Sequence, residues 1–206
     1  MAKIAIFDYG AGNLFSLKSA LERNGAESVE IIYDLKEAER LDGLVLPGVG
    51  NFDPAIKSLK GKEEYLDREI ENGKPVMGIC LGMEMLFERS EEGELEGLKI
   101  LDGAVVLLPK GEVKIPHMGW NNLQIKADSK LLKGVKNNAW VYFVHSYRTV
   151  PKNRKLVVAT CDYGVSVPAV IEKNNLIGVQ FHPEKSSAVG AIMIRNFIKM
   201  CDNEAR

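Results

Sequence analysis

Residues 75–87 read Pro75-Val76-Met77-Gly78-Ile79-Cys80-Leu81-Gly82-Met83-Glu84-Met85-Leu86-Phe87. The short apolar run 76–79, bounded upstream by Gly73 and Pro75, predicts a strand buried on both faces. It stops at a cysteine with a glycine two residues away on either side, and Met83, Leu86 and Phe87 then predict a helix. Strand, G-x-C-x-G and helix together have the form of a nucleophile elbow, whose glycines let the backbone turn sharply and thrust the central side chain above the sheet. A cysteine there also meets a helix N-terminus, where unpaired N–H groups and the helix dipole favour the thiolate. Most free cysteines are small buried hydrophobes; the paired glycines point this one toward chemistry.

Upstream of the elbow, the apolar runs 4–7, 29–32 and 43–46 predict three further strands. Between the first two, Leu14, Leu17 and Leu21 repeat at helical spacing until Gly25, a C-terminal cap. Residues 63–72 predict a second helix, with Leu66 and Ile70 on one side and Gly73 as its stop. Alternating strands and helices are the signature of βαβ units, so the expected class is α/β, a mostly parallel central sheet flanked by helices. In the second half, turn residues crowd at Gly103, Pro109-Lys110-Gly111, Asn137-Asn138 and Lys173-Asn174-Asn175, between runs rich in Val, Ile, Tyr and Phe. These predict antiparallel strands and hairpins added to the sheet. A helix from about Ser187 closes the chain, its core stripe being Val189, Met193, Phe197 and Met200. With no repeat, low-complexity tract or linker, one domain over 1–206 is expected.

At 206 residues and 46% hydrophobic composition, the chain carries enough apolar side chains for a substantial core. Its formal net charge of -1 lacks the electrostatic footprint of a nucleic-acid or anionic-membrane binder. Cys80, Cys161 and Cys201 are odd in number and widely spaced, which suits neither a disulfide framework nor a zinc knuckle and points to the cytoplasm. The few apolar residues before Asp8 are too short for a signal-peptide core or a membrane span.

A cysteine nucleophile needs a base and a group to orient that base. Phe181-His182-Pro183-Glu184 follows the apolar run 176–180, so His182 and Glu184, at i and i+2, project to one face if the strand continues. The imidazole would take the thiol proton and return it to departing ammonia, with the carboxylate fixing the tautomer. Leu46-Pro47-Gly48-Val49-Gly50-Asn51 leaves a strand at the sheet edge where open α/β folds bind ligands. Its glycines permit a backbone that aims N–H groups into a cleft, where with the Leu81 N–H they could hold an oxyanion. The three histidines, His117, His145 and His182, lack ligand spacing, so no metal or organic cofactor is expected.

Taken together these residues resemble the class I, Cys-His-Glu glutamine amidotransferases, and more narrowly the glutaminase subunits of imidazole glycerol phosphate synthases. The likeness covers essentially the whole chain. It is carried by Asp8-Tyr9-Gly10-Ala11-Gly12-Asn13, Pro47-Gly48-Val49-Gly50-Asn51-Phe52, the elbow Gly78-Ile79-Cys80-Leu81-Gly82-Met83, Pro116-His117-Met118-Gly119-Trp120-Asn121, Tyr142-Phe143-Val144-His145-Ser146-Tyr147 and Phe181-His182-Pro183-Glu184-Lys185-Ser186-Ser187. The resemblance implies that glutamine is hydrolysed to glutamate through a thioester at Cys80. Its ammonia would pass to a (β/α)8 cyclase, a heterodimer partner that forms imidazole glycerol phosphate and an aminoimidazole carboxamide ribotide. It implies further that Val49, Gly50 and Leu81 serve the oxyanion and that Gly50, Ser146 and Tyr147 line the glutamine pocket. His117, Met118, Trp120, Asn121 and Lys185 would lie near the partner interface and the ammonia passage.

One position departs from the pattern. Members of the family carry a glutamine four residues after the nucleophile, where it helps hold the substrate, and here that residue is Glu84. A carboxylate keeps the reach, loses the amide donor and brings a negative charge toward a substrate that carries its own. Weaker glutamine binding is therefore expected, with a lower KM in Glu84→Gln. Two rivals stand beside the main reading: a non-catalytic regulatory subunit, and another cysteine hydrolase or amidotransferase subunit, such as one supplying pyridoxal phosphate synthase. The complete set Cys80, His182 and Glu184 speaks against the first, and the Asp8 and His117 segments against the second.

Overall fold

The computed structural model describes residues 1–10, 13–111 and 113–202. Ala11 and Gly12 of the Asp8 segment lie outside the described residues. The first half runs β1 (Lys3–Phe7), α1 (Leu14–Arg23), β2 (Ser28–Ile32), a 3-10 segment (Leu35–Arg40), β3 (Gly43–Leu46), α2 (Phe52–Leu59), α3 (Glu63–Glu71), β4 (Val76–Ile79), α4 (Leu81–Glu84) and β5 (Phe87–Ser90). The second half runs β6 (Leu101–Leu107), β7 (His117–Asn122), β8 (Gln124–Ile125), β9 (Trp140–His145), β10 (Tyr147–Pro151), β11 (Val157–Asp162), β12 (Ser166–Lys173), β13 (Leu176–Val179) and α5 (Ser187–Cys201).

Eight strands form one sheet in the order β2-β1-β3-β4-β13-β12-β11-β8. From β2 to β13 every pairing is parallel; from β13 outward the pairings are antiparallel. Alternate side chains of the parallel strands feed two separate cores, as the two-residue period of a strand requires. Ile4, Ile6, Val45, Met77, Ile79, Ile177 and Val179 pack with Leu17 and Leu21 of α1 and Met193 and Phe197 of α5. Ala5, Phe7, Leu44, Leu46, Val76 and Leu176 pack instead with Phe52, Ile56 and Leu59 of α2 and Leu66 of α3. Burial on both faces explains why these strands read as continuous apolar runs.

The expected α/β class and its four opening strands are present, each within one residue of its expected bounds. Three expectations need correction. The second-half strands do not all join the main sheet: β10, β6 and β5 form a three-stranded sheet, and β7 and β9 a two-stranded one. β13 continues the parallel block beside β4. Gly103, expected at a turn, lies inside β6 opposite Pro151.

The helix expected through Phe87 is a single turn, and Phe87 begins β5. Leu98 N–H donates to Met85 O at 2.8 Å and Leu101 N–H to Leu86 O at 2.9 Å, so a later segment takes carbonyls that a longer helix would use itself. Gly97 permits this crossing, since a Cβ there would stand 2.1 Å from Phe87 O. Met83, Leu86 and Phe87 are fully buried, an outcome helix and strand satisfy equally, so their apolar character could not decide the matter.

Lys74, just ahead of β4, is buried and pairs with the equally buried Glu69 at 2.5 Å, its Nζ also donating to Ala38 O. Removing one partner strands the other charge in the core. Lys74→Ala is expected to lower unfolding stability by about 3 kcal/mol, read from the denaturant midpoint.

Candidate active site

β4 delivers the chain to Cys80 with φ 51° and ψ −108°, a positive φ that a side-chain-bearing residue rarely holds and that stores of order 1–3 kcal/mol of strain. Neighbouring hydrogen bonds hold it there. Cys80 N–H donates to Val179 O at 2.7 Å, and Cys80 O accepts from the N–H groups of Met83 and Glu84, both at 3.0 Å. The glycines provide the expected clearance: a Cβ on Gly78 would stand 2.6 Å from Gly82 O, and one on Gly82 only 2.0 Å from Leu46 O. Gly48 presses the loop after β3 onto the same turn, where a Cβ would meet Ile79 O at 1.6 Å and Leu81 N at 2.6 Å.

The thiol is buried and turns to Val144 O at 3.7 Å, with Gln180 Nε2 3.8 Å from the sulfur. Burial pushes its pKa well up, and the Glu84 charge adds to this, against the Leu81 N–H and the Gln180 amide, which favour the thiolate. The expected stabilisation of the thiolate at the helix N-terminus is present in the Leu81 N–H but is outweighed by burial. α4 has four residues, too short a dipole to offset desolvation.

His182 and Glu184 meet, with Nδ1 to Oε1 at 2.8 Å. The expected route was strand continuation; the actual route is a 3-10 turn over Pro183–Lys185, because β13 ends at Val179. Backbone contacts fix the turn: His182 N–H donates to Tyr142 O at 2.9 Å, and Ser186 Oγ donates to His182 O at 2.6 Å. A carboxylate accepts, so the imidazole proton sits on Nδ1 and Nε2 presents its lone pair. Nε2 is buried and has no hydrogen-bond partner among the described residues.

A cavity of about 290 Å³ gathers Val49, Gly50, Cys80, Leu81, Glu84, Ser146 and Tyr147, residues drawn from separate segments of sequence. Its remaining wall includes Glu92, Pro116, Val144 and His145, which the sequence reading did not assign to the site. Gln180 was missed as well, although a polar residue closing an apolar strand was a signal for it. Its buried Nε2 donates to Glu84 Oε1 at 3.0 Å. A larger groove of about 550 Å³, lined by residues of β10, β11 and β12, contains no cysteine.

The five residues expected near a partner divide by strand face. Met118 and Trp120 are 63% and 49% exposed, and Lys185 is exposed as well. His117 is buried. It stacks on Phe143 and Tyr163, and Asn121 points the same way. These inward groups form a chain. His145 Nδ1 donates to Tyr147 O at 2.6 Å, leaving His145 Nε2 to accept from His117 Nδ1 at 2.9 Å, while Asn121 Nδ2 approaches His117 Nε2 at 3.4 Å. Burial pushes His117 down to about 4 and His145 down to about 3, as expected for imidazoles that stay neutral.

No helix among the described residues is long and apolar enough to cross a membrane. The sequence model for the family described as Glutamine amidotransferase class-I matches residues 5–201. Two relatives bearing the name imidazole glycerol phosphate synthase subunit HisH come from Caldanaerobacter subterraneus subsp. tengcongensis and Aquifex aeolicus. The first is 50% identical over 96% of this chain and 98% of its own, the second 48% identical over 95% of each. Among solved structures, PurLQS from Thermotoga maritima superposes with a TM-score of 0.76 at 20% identity, covering 97% of this chain and 99% of that one. A Thermoplasma acidophilum protein described as part of a GMP synthase does so with a TM-score of 0.74 at 23% identity, covering 98% and 94%. An elbow cysteine over a parallel sheet and a family match spanning nearly every residue lead to one conclusion: this chain belongs to the class I glutamine amidotransferases.

Proposed function

We propose that this chain is the glutaminase subunit of an imidazole glycerol phosphate synthase, acting in histidine biosynthesis. The observation that carries the reading is the strained elbow that holds Cys80 at the wall of a cavity, together with an imidazole, His182, oriented by the Glu184 carboxylate. Cys80 Sγ attacks the carboxamide carbon of glutamine while His182 Nε2 takes its proton, for which the thiol must swing away from Val144 O. The oxyanion is held by the Leu81 N–H and the backbone of Val49 and Gly50. The C–N bond breaks as His182 returns the proton to nitrogen, releasing ammonia and leaving a thioester. Water, deprotonated by His182, then attacks the thioester, and glutamate departs with the thiol restored. Glu184 holds the imidazole in one tautomer throughout, and Gly50, Glu84, Ser146 and Tyr147 embrace the substrate.

Ammonia passes to a (β/α)8 cyclase docked on the outer face of β7 and β9, where Met118 and Trp120 are exposed, with Lys185 nearby in the fold. His117 and Asn121 serve from behind that face. In this reading the whole chain is one glutaminase domain of a cytoplasmic heterodimer and uses no cofactor. The test is glutamate release from glutamine, by the chain alone and with a cyclase partner and its ribotide ligand, together with mass analysis after a glutamine-analogue electrophile. Glutamate release stimulated by the liganded partner, and an adduct on Cys80, are expected. No glutamate under any condition and no adduct would overturn the proposal in favour of a non-catalytic role.

A further inference from the structure

Glu84 closes α4 and is only 4% exposed, yet it forms part of the same cavity wall as Cys80 and Tyr147. Its Oε1 accepts from Gln180 Nε2, a fully buried amide that also leans on the Cys80 sulfur and whose own Oε1 has no partner among the described residues. The titratable groups around it are Cys80 from the elbow, Tyr9 from the end of β1, Tyr147 from β10, and Glu92 from the turn after β5. Glu92, which lines the same cavity, brings a second negative charge, and no cation among the described residues pairs with Glu84. An unpaired carboxylate is expensive to bury, whereas a neutral acid needs only hydrogen bonds.

We propose that Glu84 stands in the cavity as a neutral carboxylic acid that donates a hydrogen bond to an oxygen of bound glutamine, and that its ionisation closes the site to this substrate. The proposal deepens the glutaminase reading and rests on it. A protonated carboxyl offers one O–H donor and one acceptor, the repertoire of a carboxamide, so at neutral pH the position keeps the donor that a carboxylate would lose. Burial first, then the Glu92 charge, raises Glu84 to about 8, with the Gln180 hydrogen bond pulling the other way. The repulsion expected from a charged Glu84 therefore belongs to alkaline pH.

Two measurements decide it. If only the protonated form binds, the wild-type KM for glutamine is flat from pH 6 to 7.5 and about tenfold higher at pH 9 than at pH 7, as one ionisation near 8 requires. Glu84→Gln lacks this rise, which separates Glu84 from titrations that both proteins share, and its lower KM emerges only above pH 8. A wild-type KM flat to pH 9, or a parallel rise in the variant, overturns the proposal. The second readout needs no activity. A carboxyl raised on folding loses stability as pH climbs from its unfolded value near 4.5 to about 8, so the Tm advantage of Glu84→Gln should widen across that window and then level off. An advantage independent of pH overturns the neutral acid even in a protein without glutaminase activity, whereas a widening one upholds it there and leaves only the glutaminase reading to fall. Should Glu84→Gln fail to fold, Glu92→Gln removes the like charge and should shift the onset of the KM rise to lower pH; an unmoved onset counts against the proposal.

Discussion

Cys80→Ala is expected to lower glutamate release by roughly 10⁴-fold or more, the scale on which removal of a nucleophile registers when the groups around it act as a unit. Alanine keeps the backbone donors, the imidazole and the cavity, but nothing remains to form the thioester. The effect on folding should be small. The elbow is held by backbone bonds from Val179, Met83 and Glu84 that a side-chain change does not touch, and the lost sulfur leaves a gap worth about 1 kcal/mol. Ammonia supplied from solution should still support synthesis by a docked cyclase, because the second half of the reaction is the partner's. Glutamate release within tenfold of wild type would sink the assignment. The other cysteines offer no substitute, as Cys161 and Cys201 are buried in the core that packs against α1 and α5.

Burial holds the elbow thiol back from ionising. Burial favours the neutral thiol, and its hydrogen bond is spent on Val144 O while His182 Nε2 has no partner among the described residues. Proton transfer therefore belongs to the substrate-bound state, when glutamine fills the cavity and displaces the thiol from that carbonyl. Hydrogen bonds of this kind are often loose in an empty site and tighten only in the Michaelis complex. A site with an inert resting thiol is also protected against oxidation, which acts on exposed thiolates.

How much of this was legible in the sequence depended on the range of the interactions involved. The strands around the elbow were readable because burial on both faces demands unbroken apolar runs, and Gly78 and Gly82 because a tight turn tolerates nothing larger. The length of α4 was not, since Leu98 and Leu101, far along the chain, take the backbone carbonyls that end it. His182 and Glu184 were paired correctly by proximity but for the wrong local reason, a strand rather than a 3-10 turn. The burial of His117 follows from its side of β7, which only the pairing with β9 determines. Glu84 shows the limit best, because its protonation is set by Glu92, Gln180 and the surrounding cavity, none of which is visible in the four-residue spacing from Cys80.

Trp120→Asp is expected to weaken association with the cyclase by at least roughly 30-fold, the order of a lost aromatic anchor worth about 2 kcal/mol. Register decides which side chains share its face: Met118 stands opposite Val144, Trp120 opposite Tyr142 and Asn122 opposite Trp140. Met118, Trp120 and Trp140 are 63%, 49% and 56% exposed, and the Trp120 and Tyr142 rings meet edge-on at 6.0 Å. Apolar side chains gathered this way are what makes this face the proposed docking face. The reverse of the same two strands carries His117, Phe143 and His145, and His145 is already part of the cavity wall. Val144 joins the two sides most directly, since its side chain lies on the docking face while its carbonyl holds the Cys80 thiol. In the proposed complex, a partner on this face would bear, through a single layer of strand, on the peptide whose carbonyl faces the Cys80 thiol. Because Trp120 is half exposed, its replacement should cost only about 1 kcal/mol of unfolding stability, from the lost pairing with Tyr142, so the variant stays folded and its binding can be read. Titration of labelled cyclase, with glutamine-dependent and ammonia-dependent synthesis followed in parallel, separates the outcomes. An unchanged Kd would place the docking face elsewhere, whereas loss of the glutamine-dependent rate alone would tie both binding and ammonia delivery to this sheet.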